Sequence, residues 1–286
     1  VTPRTELGPS AVSTWLAAVL DGAPAVFDLG RPLYRGMPQS PNHPPYWHTL
    51  PRRHGDAVRA DGGSAAADHI SLGTHVGTHI DAFSHVSHEG RLLGGVDAQE
   101  TQRGGSMREL GAETIEPMFR RGVLFDVPAV LGADCCDPGY EITPDDLERC
   151  ERRHGARLGA GEVALIRSGW GARFDSPDPR DFIGHDSGVP GVGEAGARWL
   201  ADRGAHAVGA DTIAFECLPP GRGHALLPAH RVLLVESGVH IIETMDLEGL
   251  AAAGAHEFLF VLAPLKLVGA TGSPVRPLAV VAGGGR

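Results

Sequence analysis

The chain is nearly without lysine: Lys266 is the one lysine among 25 basic residues. Imine chemistry through a lysine therefore has a single candidate, in an apolar, strand-like stretch. Four cysteines occur, Cys135, Cys136, Cys150 and Cys217, and no two are spaced as CxxC. That spacing suits neither a disulfide framework nor a zinc knuckle, so the cysteines read as small packing residues in a reducing cytoplasm. A GxxxxGK[ST] loop and a GxSxG elbow are both missing. Nucleotide cofactors and the serine mechanism of α/β-hydrolases lose support accordingly. A GxGxxG match at Gly191, Gly193 and Gly196 follows the loop Ser187-Gly188-Val189-Pro190 rather than a strand, and reads as coincidence. No uninterrupted apolar run reaches the ~18 residues of a membrane span. The opening Val1-Thr2-Pro3-Arg4 shows no basic-then-apolar signal peptide. Positive charge is also short: 25 Lys+Arg against 35 Asp+Glu give a net charge of −10. Nucleic acid and anionic membranes are thus not expected partners.

Glycine and proline are plentiful, 40 and 22 in 286 residues, without a repeat period. Many turns follow, but not a collagen-like chain. Residues 10–20 read as a short helix, and 25–29 as a strand. The Pro- and Gly-rich stretch from Gly30 to Gly63 is too long for a plain turn, which marks it as functional or mobile. Thr143-Pro144-Asp145-Asp146 starts a helix that runs to about Arg153 and ends near Gly155. Residues 192–203 also look helical. Strand signals fall at 122–131, 162–167, 206–211, 231–235, 239–243, 257–263 and 275–281. Strands mix with few helices and do not alternate steadily. The expectation is one mixed α/β domain over residues 1–286 rather than a doubly wound parallel sheet.

Five of the fifteen histidines, His69, His75, His79, His85 and His88, lie within twenty residues. The central run is His75-Val-Gly-Thr-His79-Ile-Asp81-Ala-Phe-Ser-His85. Neutral imidazole and carboxylate are the usual ligands of zinc and related divalent ions. On an ideal strand His75 and His79 would share a face but lie ~13 Å apart. On a helix they could chelate, but Asp81 would point away from His79. The run must therefore bend, which Gly73 and Gly77 permit, and it is expected to line a cleft. A solvated His-rich loop is the bland alternative.

This order resembles the HxGTHxDxPxH signature of the cyclase-like metal-dependent hydrolases, of the kynurenine formamidase and isatin hydrolase type. Phe83 stands where many members have Pro. Phe27-Asp28-Leu29-Gly30-Arg31-Pro32-Leu33, Gly209-Ala210-Asp211-Thr212 and Ile241-Ile242-Glu243 are further points of likeness. The resemblance implies a swivelling β/β/α-type fold with a central mixed sheet, and at least a homodimer. It implies His75, His79 and Asp81 as ligands of a divalent ion, with His230 and Glu243 able to hold a second beside the shared Asp81. His224 and Glu236 are the competing downstream pair, and the flanking Arg231-Val-Leu-Leu favours His230 with Glu243. His85 matches the catalytic histidine.

Two imidazoles and one carboxylate leave a dication about one net positive charge and open positions. Such an ion lowers the pKa of bound water to about 7, making hydroxide available at neutral pH, and can polarise a carbonyl. His85 then suits proton transfer to the leaving group. The function this implies is cleavage of a non-peptide C–N bond in a small amide, formamide or lactam. Lactone hydrolysis, a biosynthetic cyclisation or dehydration, and a non-catalytic metal-binding role are the alternatives. Tyr46, Trp47 and Phe83 could form an apolar pocket wall. Zinc, manganese and iron all suit the donors.

Overall fold

In the computed structural model, residues 22 and 24–282 are described. The helix expected at 10–20 lies outside them. The strands are β1 Ala25–Asp28, β2 Trp47–Arg52, β3 Ala67–Ser71, β4 His79–Asp81, β5 Gln102–Arg103, β6 Ser106–Met107, β7 Met118–Asp126 and β8 Glu141–Ile142. They continue with β9 Val163–Arg167, β10 Gly191–Val192, β11 Ala207–Ala210, β12 His240–Glu243, β13 Glu257–Leu262, β14 Gly272–Pro274 and β15 Leu278–Val281.

Nine of them form a mixed sheet in the order β1-β15-β13-β7-β9-β11-β12-β4-β14. The contacts β7–β9, β9–β11 and β11–β12 are parallel, and the rest antiparallel. Parallel strands are covered on both faces, so they need apolar residues at successive positions rather than at alternate ones. Val163-Ala-Leu-Ile166 and Ala207-Val208 meet that need. Ala164, Ile166, Val208 and Ile241 face one core, with Leu147, Cys150, Ala197 and Leu200 from the covering helices. Val163, Leu165, Ala207 and Ile242 face the other, with Leu250, Phe258 and Phe260. Truncating a buried Phe such as Phe258 to Ala would cost about 3–5 kcal/mol.

The expected helix spans Pro144–His154, started by the reciprocal Thr143–Asp146 capping box and closed by Gly155 in the left-handed region at φ 71°. Three readings need correction. The strand at 122–131 ends at Asp126, where Pro128 opens a short helix, Val127–Leu131, stopped by left-handed Gly132. Residues 231–235 are not a strand but part of a π-helix, Arg231–Ser237, that buries Val232, Leu233 and Leu234. A short apolar run suits a buried helix as well as a strand, and Pro228 at the preceding helix start decides it. Lys266 lies in an exposed loop rather than a strand. Gly191 does begin a two-residue strand and Gly193 caps helix Glu194–Asp202, but Gly193 packs against the Glu141 side chain. No helix among the described residues is long and apolar enough to cross a membrane.

Candidate metal centre

β4 sits between β12 and β14 near one edge of the sheet. Residues two apart on a strand share a face, so His79 and Asp81 point together; they are 3% and 0% exposed. β12 runs antiparallel beside β4, and its register sets Glu243 directly opposite His79. His79 Nε2 lies 3.4 Å from Glu243 Oε2 and 3.6 Å from Asp81 Oδ1. His75 arrives from the turn before β4. Gly77 makes that turn with φ +66°, and a Cβ there would run into Leu33 Cδ2. The bend brings His75 Nδ1 within 2.7 Å of Asp81 Oδ1. The irregular segment expected from the sequence is present.

His230 ends the short helix Pro228–His230. Its Nε2 lies 3.2 Å from Glu243 Oε1 and 3.7 Å from Asp81 Oδ2. His85 stacks on His75 at 3.7 Å between ring centroids and stands 6.3 Å from His230. The six residues His75, His79, Asp81, His85, His230 and Glu243 thus converge. All but Asp81 line a cavity of about 270 Å³, together with Ser40, Asn42, His43 and His224.

The backbone and neighbouring carboxylates orient the rings. His79 Nδ1 lies 2.8 Å from the Gly77 carbonyl oxygen, which turns Nε2 toward the carboxylates. Glu216 Oε2 accepts from the His230 backbone N–H and lies 2.9 Å from His230 Nδ1, which turns that Nε2 the same way. Glu216 was not singled out as a site residue. It precedes His230 by fourteen residues, and only the tertiary fold pairs them. His43 also lines the cavity, its ring 5.2 Å from that of His75, carried there by the long Pro- and Gly-rich stretch.

The electrostatics favour a cation. Burial favours a neutral Asp81, yet His85, His75 and His79 hold its carboxyl well below the usual carboxylate range. Burial likewise opposes charge on Glu243, but His230 and His79 draw its pKa down to about 2. Burial works against a charged His230, and its bonds to Glu216 and Glu243 outweigh this, raising it to about 10. Burial also opposes charge on His79, and Glu243 and Asp81 overcome it, so its pKa rises. Burial pushes His85 down to about 3, with the charges of His75 and His230 adding to it against Asp81 and Glu243. Asp81 Oδ2 and Glu216 Oε1 are buried without a hydrogen-bond partner among the described residues. An unpartnered buried carboxylate oxygen is costly, and a coordinated cation removes that cost. Donor atoms of His75, His79 and Asp81 lie within 4.8 Å of one another, as do those of Asp81, His85 and His230. Imidazole and carboxylate donors so arranged fit a divalent ion.

Of the remaining candidates only His224 reaches the cavity. Glu236 is exposed and pairs with Arg198 at 2.9 Å. Trp47 is 46% exposed under the Arg35 guanidinium, and Tyr46 packs against the Met37–Trp170 cluster. Phe83 stacks on His240 at 4.0 Å. None of these three aromatics lines the cavity. Asp211 is fully buried and accepts hydrogen bonds from Ser168, Gly169 and Gly171, so it ties down the end of β9.

The fold and site define a mixed-sheet protein with a buried histidine and carboxylate centre. A family model described as putative cyclase matches residues 27–217, and the chain belongs to that family. It is 28% identical to isatin hydrolase of Roseibium aggregatum over 78% of this chain and 77% of that protein. It is 26% identical to kynurenine formamidase of Geobacillus thermodenitrificans over 76% of this chain and 81% of that one. Among solved structures, one described as a novel cyclase superposes with TM-score 0.83 at 29% identity, covering 96% of this chain and 93% of that one. Isatin hydrolase A from Ralstonia solanacearum superposes with TM-score 0.72 at 25% identity, covering 97% and 99%.

Proposed function

We propose that the chain is a metal-dependent hydrolase that cleaves a non-peptide C–N bond in a small amide, formamide or lactam. One observation carries this reading: His75, His79, His85, His230 and Glu243 line one small cavity, with the Asp81 carboxylate buried beneath them within reach of His75, His79 and His230. The relatives named isatin hydrolase and kynurenine formamidase support the C–N bond as target.

His75, His79 and Asp81 would hold a divalent ion, zinc or manganese, and His230 with Glu243 would hold a second beside the shared Asp81. Bound there, the ion supplies a Lewis acid that polarises a carbonyl and makes water more acidic. His85 does the proton work. Stacked on His75 at the cavity wall, it is placed to take a proton from the attacking water and deliver it to the leaving nitrogen. Glu216 and the Gly77 carbonyl hold the His230 and His79 rings in place. The test is hydrolysis of formamides, lactams and lactones by protein stripped with chelator and reloaded with zinc or manganese. Amide or lactam turnover only after reloading supports the reading. Equal turnover by stripped protein contradicts it.

We also propose one domain, since β1 and β15 from opposite ends of the chain pair along their length. Four free thiols favour a cytoplasmic setting. The β2–β3 hairpin supports a homodimer: every residue of both strands is exposed, including Trp47, Leu50 and Ile70. A lone two-stranded hairpin is marginal in water, and a second copy would cover it.

A further inference from the structure

A second cavity, of about 330 Å³, adjoins the candidate centre, and Asn42 and His224 line both. Five of the six site side chains line the first cavity, which at about 270 Å³ is the smaller of the two. Together the two spaces fall within the ~300–1,000 Å³ of small-molecule sites. A substrate with its scissile bond at the centre therefore extends its remainder past His224.

The second cavity differs in charge. Its ionisable side chains are His185, Arg222 and His224, with no carboxylate on its wall. This is unusual ground in a chain of net charge −10. Some arginines pair with acids, Arg276 with Asp28 and Arg198 with Glu236, and others lie over aromatic rings, Arg35 over Trp47 and Arg173 over Trp170. Arg222 has no ion-pair partner among the described residues. Its position is held by backbone. Gly221 and Gly223, at φ +68° and +47°, bracket it in the left-handed region. The Gly221 N–H donates to the His185 carbonyl oxygen at 2.8 Å, and the Arg222 N–H to that of Pro219 at 3.2 Å. The loop is thereby fastened to the cavity wall that His185 forms.

We propose that Arg222, beside His185, is an anion subsite, and that the substrate is an amide or lactam carrying a carboxylate away from the scissile bond. This rests on the hydrolase reading above. A guanidinium matches a carboxylate bidentately, and Arg is suited to that fork. The subsite selects acidic substrates through binding, while the reacting bond stays with the histidine centre.

The test uses metal-reloaded protein and a near-isosteric pair, 4-formamidobenzoate and 4-formamidobenzamide, in which a neutral amide replaces a carboxylate held across the ring from the scissile bond. The expected result is a preference for the acid of about ten- to a hundredfold in kcat/KM, carried by KM. Arg222→Met should bring the acid-to-neutral ratio toward one, and Arg222→Lys should restore part of it. A ratio near one in the unaltered protein, or a ratio that Arg222→Met leaves unchanged, overturns the proposal. If neither compound is hydrolysed, the hydrolase reading rests on the lactam and lactone arms of its own assay, and calorimetric binding of benzoate decides the subsite separately. Weaker binding by Arg222→Met supports it, and equal binding overturns it.

Discussion

Gly77→Ala probes the turn that brings His75 to Asp81. The residue sits at φ +66°, where an L side chain costs about 1–2 kcal/mol. The new Cβ also meets Leu33 Cδ2. That atom is the free end of a half-buried side chain, so rotation of Leu33 relieves most of the overlap, leaving at most about 1 kcal/mol. Backbone strain is therefore the larger share of a total near 1–3 kcal/mol. At roughly 2–4 °C per kcal/mol for a chain of this size, Tm falls by about 2–12 °C. The same turn holds Thr78, whose hydroxyl donates to the Thr244 carbonyl at 2.7 Å and accepts from the Arg31 N–H at 2.8 Å. Divalent-ion affinity should therefore drop with stability. Urea denaturation and ion titration of Gly77→Ala, Leu33→Ala and the double variant measure both effects. The double variant should recover only the smaller, steric part. A Gly77→Ala protein within 0.3 kcal/mol of the parent, on the order of experimental error, would refute the strain argument. Full recovery in the double variant would do the same.

His85→Ala should keep its bound ion and lose about 10²–10⁴ in kcat, whereas Asp81→Ala should lose the ion as well; full turnover by His85→Ala would remove the proton-transfer role. Glu216→Gln should lower ion affinity by about 10–100-fold, since His230 loses its carboxylate partner, and unchanged affinity in calorimetry would assign Glu216 to packing alone. Ion binding should release protons. Glu216 and Glu243 lift His230 to about 10 against the effect of burial, so at neutral pH the ion-free ring carries a proton that a cation must displace. Affinity then falls as pH falls and rises toward pH 10. Titration in two buffers of different protonation enthalpy reads the proton count, and a count of zero contradicts the assignment.

Local chemistry made parts of this molecule readable in advance. Thr143, Pro144 and Asp146 specify the start of helix Pro144–His154 within four residues, and Gly155 its end. The buried parallel strands β9 and β11 show as continuous apolar runs. The spacing of His75, His79 and Asp81, with Gly77 between, excluded both regular structures and required the bend that is found. What the sequence hid depends on distant partners. Arg231-Val-Leu-Leu-Val235 has no periodicity of its own to separate strand from helix, and as a π-helix it packs against helix Glu194–Asp202 and β12. Glu216 and His43 carry no local signal. Strand order and register bring β12 beside β4, and only that pairing places Glu243 across from His79.

The most direct test is elemental analysis of the chain after chelation, dialysis and re-equilibration with zinc or manganese at pH 8. Binding of one or two ions per chain, abolished in His79→Ala and Asp81→Ala variants that keep the parent circular dichroism, is the expected result. A chain that retains neither metal under those conditions contradicts the assignment of the buried histidines and carboxylates as its ligands.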